Sequence, residues 1–314
     1  MDWQPTADLA QLRARSALLR TLRHFFEKRG VLEVQTPVLG RFGVSEPAIG
    51  SVSAGWAGYS GYLQSSPEYH MKRLLAAGSG PIFQISPVFR AGEQGRCHNP
   101  EFTMLEWYRP GFTLDQLMEE VAELLVTVLD CPRPQTHSYR SLFRQLLSLD
   151  PWHDTEAGLC EAAAGVSGLP AAELDRDEAL DVLMTHCIEP QLAGWGPVFI
   201  TDYPPSQAAL AQTLEKEGVT VARRFELYVN GLELCNGYHE LTDAREQAER
   251  FRLDNAERQH KGKSAMAADE RLLAALAAGV PECCGVALGL DRLLMLAAGA
   301  SHIEQVLAFP VSRA

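Results

Sequence analysis

The chain has 314 residues, 46% hydrophobic and 22% charged, with 28 Lys+Arg against 40 Asp+Glu. A formal charge of −12 excludes non-specific attraction to nucleic acid or anionic lipid, while leaving room for a local basic groove. The length allows one large domain or two small ones, with a sizeable core.

No apolar run reaches the ~18 residues of a membrane span, so no membrane partner is expected. Residues 1–10 carry acids at Asp2 and Asp8 and no basic cluster, unlike a signal peptide. The seven cysteines lack a Cys-x-x-Cys and read as reduced, buried thiols of a cytoplasmic protein. In chain order, Leu9, Leu12, Leu19, Leu22, Phe25 and Phe26 recur at helical spacing, and Gly30 offers a stop. Residues 31–36 read as a short strand before Pro37, and residues 82–86 and 102–108 as two more. Leu114, Leu117, Met118, Val121, Leu124, Leu125 and Val128 form one helical stripe behind a capping box of Thr113 and Gln116. Residues 133–195 read as a helical insertion, with one pattern at 177–188. Residues 223–229 and 232–236 flank Asn230-Gly231, a strong hairpin signal. A charged helix over 243–259, a run at 285–290 and an apolar helix over 291–298 complete an α+β architecture with antiparallel strands.

The hairpin geometry can be worked out from its turn. With Val229 opposite Leu232, Glu233 faces Tyr228 and Glu226 faces Cys235. Alternation then puts both carboxylates on one face, about 7–8 Å apart at Cα. Such a pair can share a divalent cation bound to a polyphosphate, because Mg²⁺ accepts few protein carboxylates and keeps phosphate oxygens. A solvated strand face carrying two unrelated acids is the alternative. In residues 88–108, two strands flank a loop with Arg90, Arg96 and His98. Its arginines can clamp phosphate through charge-assisted bonds. Parity puts Phe102, Met104, Glu106 and Tyr108 on one face, where an aromatic can stack on a base and Glu106 can attract a cation. An edge hairpin with a basic tip is the alternative here.

This segment resembles motif 2 of the class II aminoacyl-tRNA synthetases, and residues 98–104 resemble its lysyl version. Residues 27–39, ending in Thr36-Pro37-Val38-Leu39, are similar to motif 1, and residues 285–292 to motif 3. Ser66-Pro67-Glu68 with Met71-Lys72-Arg73-Leu74 resembles the amino-acid-binding loop. Arg224-Phe225-Glu226 and residues 233–243 resemble the metal and substrate strands of the lysyl enzymes. The resemblance implies a class II core that dimerises through motif 1 and uses ATP and Mg²⁺. Arg90 would contact the α-phosphate and substrate carboxylate, and Arg292 the γ-phosphate. Phe102 would stack on adenine, with Glu93, His98, Asn99, Leu234 and Gly289 around the nucleotide. Glu226 and Glu233 would hold Mg²⁺, and Glu233 would also border ATP. Ser66, Pro67, Glu68, Glu106, Tyr108, Asn236, Tyr238 and Glu240 would form the amino-acid pocket. Two carboxylates around one ammonium favour a diamino acid such as lysine.

The chain departs from the family pattern in four places. The motif 2 acid is Glu93, with Gly at 92. Parity puts Asn236 on the face opposite Glu233, so that a bulge at Asn236-Gly237 would be needed. Ala287 stands where lysyl enzymes have Gly, and its methyl could select an amino group placed differently from that of α-lysine. Motif 1 begins near residue 15, which leaves no room before it for an anticodon-binding domain. The whole then resembles the elongation factor P–(R)-β-lysine ligase family, whose members attach β-lysine to a lysine of that factor, so tRNA is not the expected acceptor. A tRNA-charging enzyme, an ammonia-dependent amide synthetase and a non-enzymatic ligand-binding paralogue are the alternatives.

Overall fold

The computed structural model describes residues 3–314; Met1 and Asp2, counted in the amino-terminal reading, lie outside the described residues. Contacts divide these residues into two units, one of 3–113, 127–129 and 241–314, the other of 114–126 and 130–240. Both combine largely antiparallel strands with helices, the expected α+β class. Among the described residues no helix is long and apolar enough to cross a membrane, and all seven cysteines are free thiols.

In the first unit, strands Ile82–Phe89, Glu101–Pro110 and Cys283–Gly289 are antiparallel neighbours, and Leu32–Glu33 runs parallel to the first. Their register aligns Phe83, Trp107 and Val286 in one cross-strand row and Ile85, Leu105 and Leu288 in another. These rows share a face, since side chains alternate along a strand. Helix Leu9–Glu27 covers it: the Phe26 ring stacks on Phe83 at 4.5 Å and meets Trp107 edge-on at 5.2 Å. Burying such a ring contributes about 2–3 kcal/mol. The opposite face carries the rows Ile82–Tyr108–Gly285, Gln84–Glu106–Ala287 and Ser86–Met104–Gly289. Helices Glu68–Ala76 and Glu270–Gly279 close one end of it, packing Met71, Leu75, Leu272 and Leu276 with Ile82 and Tyr108.

The strand expected over 31–36 is cut to Leu32–Glu33. Val34 N–H still donates to Phe83 O at 2.8 Å, but Thr36 N–H turns to the Gln84 side-chain oxygen at 2.9 Å and leaves the ladder. The charged helix spans Ala244–His260, with the Asp243 carboxylate accepting from Arg245 and Glu246 N–H at its start.

In the second unit the helical reading of residues 133–195 meets Gln135–Ser138 as a strand, followed by mostly helical chain. Helix Glu156–Ser167 starts on the Thr155 hydroxyl and ends at Gly168 in the left-handed region. Helix Arg176–Leu183 starts on a reciprocal Asp175–Glu178 capping box. Their apolar faces bury Leu159, Leu180 and Leu183 with Tyr139, Phe143, Val198 and Ile200. Strand Pro197–Tyr203 pairs antiparallel with Val219–Val229, which forms the expected hairpin with Leu232–His239. Asn230 and Gly231 both adopt positive φ, as a two-residue hairpin turn requires.

The hairpin register departs from the expectation in one respect. Val229 pairs Leu232 and Tyr228 pairs Glu233, but Leu227 then pairs Cys235, so Leu234 is an extra residue, a β-bulge. Glu226 therefore lies opposite Asn236, not Cys235. Glu226 and Glu233 keep a common face, and Asn236 and Tyr238 join it. The bulge needed for Asn236 exists, two residues earlier than expected. Beyond it Gly237 lies opposite Phe225, whose ring would sit 2.4 Å from an added Cβ. Gly237→Ala is expected to displace that ring and cost about 1–3 kcal/mol, read as a lower midpoint in denaturant unfolding. An unchanged midpoint would show that the ring is free to move.

Candidate active site

The first unit brings Ser66, Glu68, Glu106 and Tyr108 together. Glu106 sits mid-strand and is 2% exposed. Tyr108, two residues along the same face, donates its hydroxyl to Glu106 Oε1 at 2.6 Å, and Ser66 donates to Oε2 at 2.8 Å. The Ser66 oxygen in turn accepts from Glu68 N–H at 3.0 Å, which satisfies a donor at the start of helix Glu68–Ala76. Pro67 opens that helix, where a missing N–H costs nothing. One turn on, the Lys72 ammonium donates to Glu68 Oε1 at 2.6 Å. Burial first, and the charge of Glu68 second, push the Glu106 carboxyl up to about 7. The hydroxyls of Tyr108 and Ser66 and the charge of Lys72 pull the other way.

Toward the other end of the same face lie the cationic groups. Arg90 follows strand Ile82–Phe89, and its N–H donates to Pro100 O at 2.9 Å, so it keeps the strand's parity. Its guanidinium carbon is 5.2 Å from the centre of the Phe102 ring, and Glu93 is 3.5 Å away. The buried Arg90 Nε has no partner among the described residues, leaving a donor for a ligand. Arg292 lies in the first turn of helix Leu290–Ala298, beside the helix's positive end. Its guanidinium reaches His98 Nε2 at 2.7 Å. Asp291, fully buried, binds Arg15 and accepts from Thr103 N–H at 2.6 Å, fastening this helix to the strand that carries Phe102. Asn99 is buried and holds Glu101 O at 2.6 Å and Val311 N–H at 3.0 Å, so its side chain shapes the loop. The nearest atoms to a Cβ on Gly289 would be those of Arg292, at 3.7 Å or more.

The second unit holds Glu226, Glu233, Leu234, Asn236, Tyr238 and Glu240. Glu226 binds Arg224 and accepts from the hydroxyls of Tyr203 at 2.7 Å and Tyr228 at 2.8 Å. Burial and the Glu226 charge push both phenols well above their ordinary range, so they remain donors. Asn236 Nδ2 donates to the Tyr238 hydroxyl at 3.0 Å, while its buried Oδ1 has no partner among the described residues. Glu240 is buried just past the hairpin, where its backbone bridges Ala211. No His, Cys, Asp or Glu completes a group of three around a metal among the described residues. Glu226 and Glu233 share a face of the hairpin, and the Glu226 oxygens are already met by Arg224, Tyr203 and Tyr228, so a Mg²⁺ held by this pair would take most of its ligands from phosphate and water.

Sequence reasoning placed Lys72 in the amino-acid-binding loop without giving it a role, and did not single out Tyr203 or Asp291. Lys72 follows Glu68 by four residues, a spacing usual for surface ion pairs, and nothing local announces its burial. Tyr203 reaches Glu226 from a strand 23 residues away.

The residues 1–313 match the family model for class II tRNA synthetases of the D, K and N group. The chain belongs to that family. Within it, a Haemophilus influenzae (strain PittGG) protein named elongation factor P–(R)-β-lysine ligase is 48% identical over 318 residues, 99% of this chain and 98% of that protein. A Pasteurella multocida protein of the same name is 47% identical over 319 residues, covering 100% and 98%. A Salmonella dublin protein, again so named, is 48% identical over 320 residues, covering 99% and 98%.

The Glu106 carboxyl titrates higher in the fold than in the unfolded chain, where it has its ordinary value of 4.5. Its contribution to stability is therefore full below about pH 4.5 and is lost as the pH rises through about 7. In thermal melts without ligand, wild type should lose stability relative to Glu106→Gln across that window. Parallel pH profiles for the two proteins would contradict the burial of this charge.

Proposed function

We propose that the protein activates a lysine isomer with ATP and transfers it to a lysine side chain of elongation factor P. The observation that carries the activation step is one sheet face with Arg90 and Phe102 toward one end and the buried Glu106, with its Tyr108 and Ser66 donors, toward the other. The relatives' shared name supports β-lysine as the amino acid and elongation factor P as the acceptor, in place of tRNA.

In this reading the substrate carboxylate oxygen attacks the α-phosphorus of ATP, and pyrophosphate leaves. The amine of the acceptor lysine then attacks the acyl carbon, loses a proton and releases AMP, forming an amide. No side chain acts as a nucleophile. Arg90 orients the carboxylate against the α-phosphate and stabilises the charge that develops there. Arg292, with His98 beside it, binds the γ-phosphate; Phe102 stacks on adenine; Glu93, Asn99, Leu234 and Gly289 border the nucleotide. Glu106 and Glu240, with Tyr108, Asn236, Tyr238 and the Ser66-Pro67-Glu68 turn, bind the diamino acid. Glu226 and Glu233 would hold Mg²⁺, which when bound supplies positive charge to the phosphates.

Ala287 lies directly across the ladder from Glu106, so its methyl stands beside the ammonium-binding carboxylate and narrows the choice between lysine isomers. The chain acts as a cytoplasmic homodimer through the motif 1 region, where Leu32 is 56% and Leu39 37% exposed. Arg90→Ala and Glu240→Gln should each abolish lysine-dependent ATP–pyrophosphate exchange, a loss of at least about 100-fold for a group that touches the reacting charge. Exchange at the wild-type rate in either variant would remove that residue from the site. Ala287→Gly should shift the ratio of kcat/KM values toward α-lysine, and an unmoved ratio would dismiss the methyl as a selector.

A further inference from the structure

Lys72 is 1% exposed, as deeply buried as Glu240 and Asp291. A lysine inside a protein is costly, and a methionine of similar length would fill the space without that cost. Its ammonium lies 2.6 Å from Glu68 Oε1, one helical turn back. The Glu68 main-chain N–H is held by the same Ser66 hydroxyl that donates to Glu106. Lys72, Glu68, Ser66 and Glu106 thus form one connected cluster, with Lys72 and Glu106 buried and Ser66 and Glu68 half-buried. When all its acids are ionised its net charge is −1. Without Lys72 it would hold two facing carboxylates, and like charges in such a setting do not both ionise readily.

Resting on the amino-acid pocket proposed above, we infer that Lys72 is a positioning residue that sets the pocket's charge. It keeps Glu68 as an ion pair and leaves Glu106 as the carboxylate with charge to spare, so that this cluster admits a single substrate ammonium. Glu68 then orients the incoming amine from within its ion pair, and Glu106 supplies the counter-charge. A substrate with an uncharged side chain leaves Glu106 buried and uncompensated, and is rejected for that reason.

Within the first unit, the groups that act on Glu106 are few enough for a pH test. Glu68 and Lys72 come from the helix, Ser66 from the turn before it, and Tyr108 from the same strand. Its cross-strand neighbours, Gln84 and Ala287, carry no charge. Lys72 lowers the Glu106 titration and Glu68 raises it by more. Removing Lys72 alone must therefore raise it, and removing both charges must return it to the wild-type position or below.

The test uses the full chain as wild type, Lys72→Met, Lys72→Arg, Glu68→Gln and the Lys72→Met/Glu68→Gln double variant. The Glu106 carboxyl is followed by ¹³C NMR in the protein without substrate, and the acid limb of kcat/KM for lysine by ATP–pyrophosphate exchange. Lys72→Met should move both upward by about one pH unit, a roughly tenfold loss of kcat/KM below the limb, with KM for ATP unmoved. Lys72→Arg should keep the wild-type titration, and the double variant should recover it. If Lys72→Met does not fold, recovery of folding and titration in the double variant supports the inference. A folded Lys72→Met with unmoved titration overturns it, as does a double variant that titrates as high as Lys72→Met or fails to recover the fold. Wild type without lysine-dependent exchange would strike the functional reading instead, while the NMR titration still judges Lys72.

Discussion

A carboxylate buried in the middle of a sheet face is expensive, and the first unit is arranged around making one tolerable. Glu106 can lie there because both of its oxygens are met by hydroxyls, from Tyr108 and Ser66. Each donor depends on further structure. Tyr108 is held against Met71, Leu75 and Ile82 by the helices packed over it. The Ser66 hydroxyl is oriented because its oxygen already accepts the first N–H of a helix. That helix returns Lys72 to Glu68, which offsets part of the charge that Glu68 adds to the burden. The opposite face of the same strands is apolar and sealed by Phe26, so the polar face alone is left for chemistry. The remaining deficit, visible in a carboxyl pushed up to about 7, is what the ammonium of the proposed substrate would relieve on binding.

The residues proposed to handle phosphate follow a second constraint, that flexible cations must be aimed before a ligand arrives. Arg90 continues a strand and lies against Phe102. Arg292 is aimed by its helix, which the buried Asp291 fastens to Arg15 and to the Phe102 strand. In the second unit Glu226 is aimed in the same way, by two phenols and Arg224. Such fixed groups need little rearrangement as charge develops, which is how electrostatic stabilisation becomes catalytic. The total charge of −12 conceals this local concentration of cations.

Much of this was legible in the sequence because it depends on short-range periodicity. Alternation put Phe102, Met104, Glu106 and Tyr108 on one face, and Asn230-Gly231 fixed the turn that brings Glu226 and Glu233 to one face. The order of the motifs supplied the fold. What escaped depends on contacts that no local pattern encodes. A bulge was expected at Asn236-Gly237; its place two residues earlier, at Leu234 between Glu233 and Cys235, only the pairing register reveals. A Glu–Lys pair four residues apart is ordinarily a solvated surface feature, so the burial of Lys72 could not be read from spacing. Asp291 meets Arg15 across 276 residues of chain. The strand over 31–36 shortened because Gln84 competes for the Thr36 N–H, a side-chain capture invisible in a propensity pattern.

The most direct measurement of the central claim is the intact mass of purified elongation factor P after incubation with this protein, ATP and Mg²⁺, with (R)-β-lysine or α-lysine supplied separately. The account predicts the mass gain of one lysyl group, on a lysine side chain and dependent on ATP, with (R)-β-lysine as the better donor. Unmodified factor with both isomers, under conditions where the protein supports lysine-dependent pyrophosphate exchange, would contradict the assignment of the acceptor.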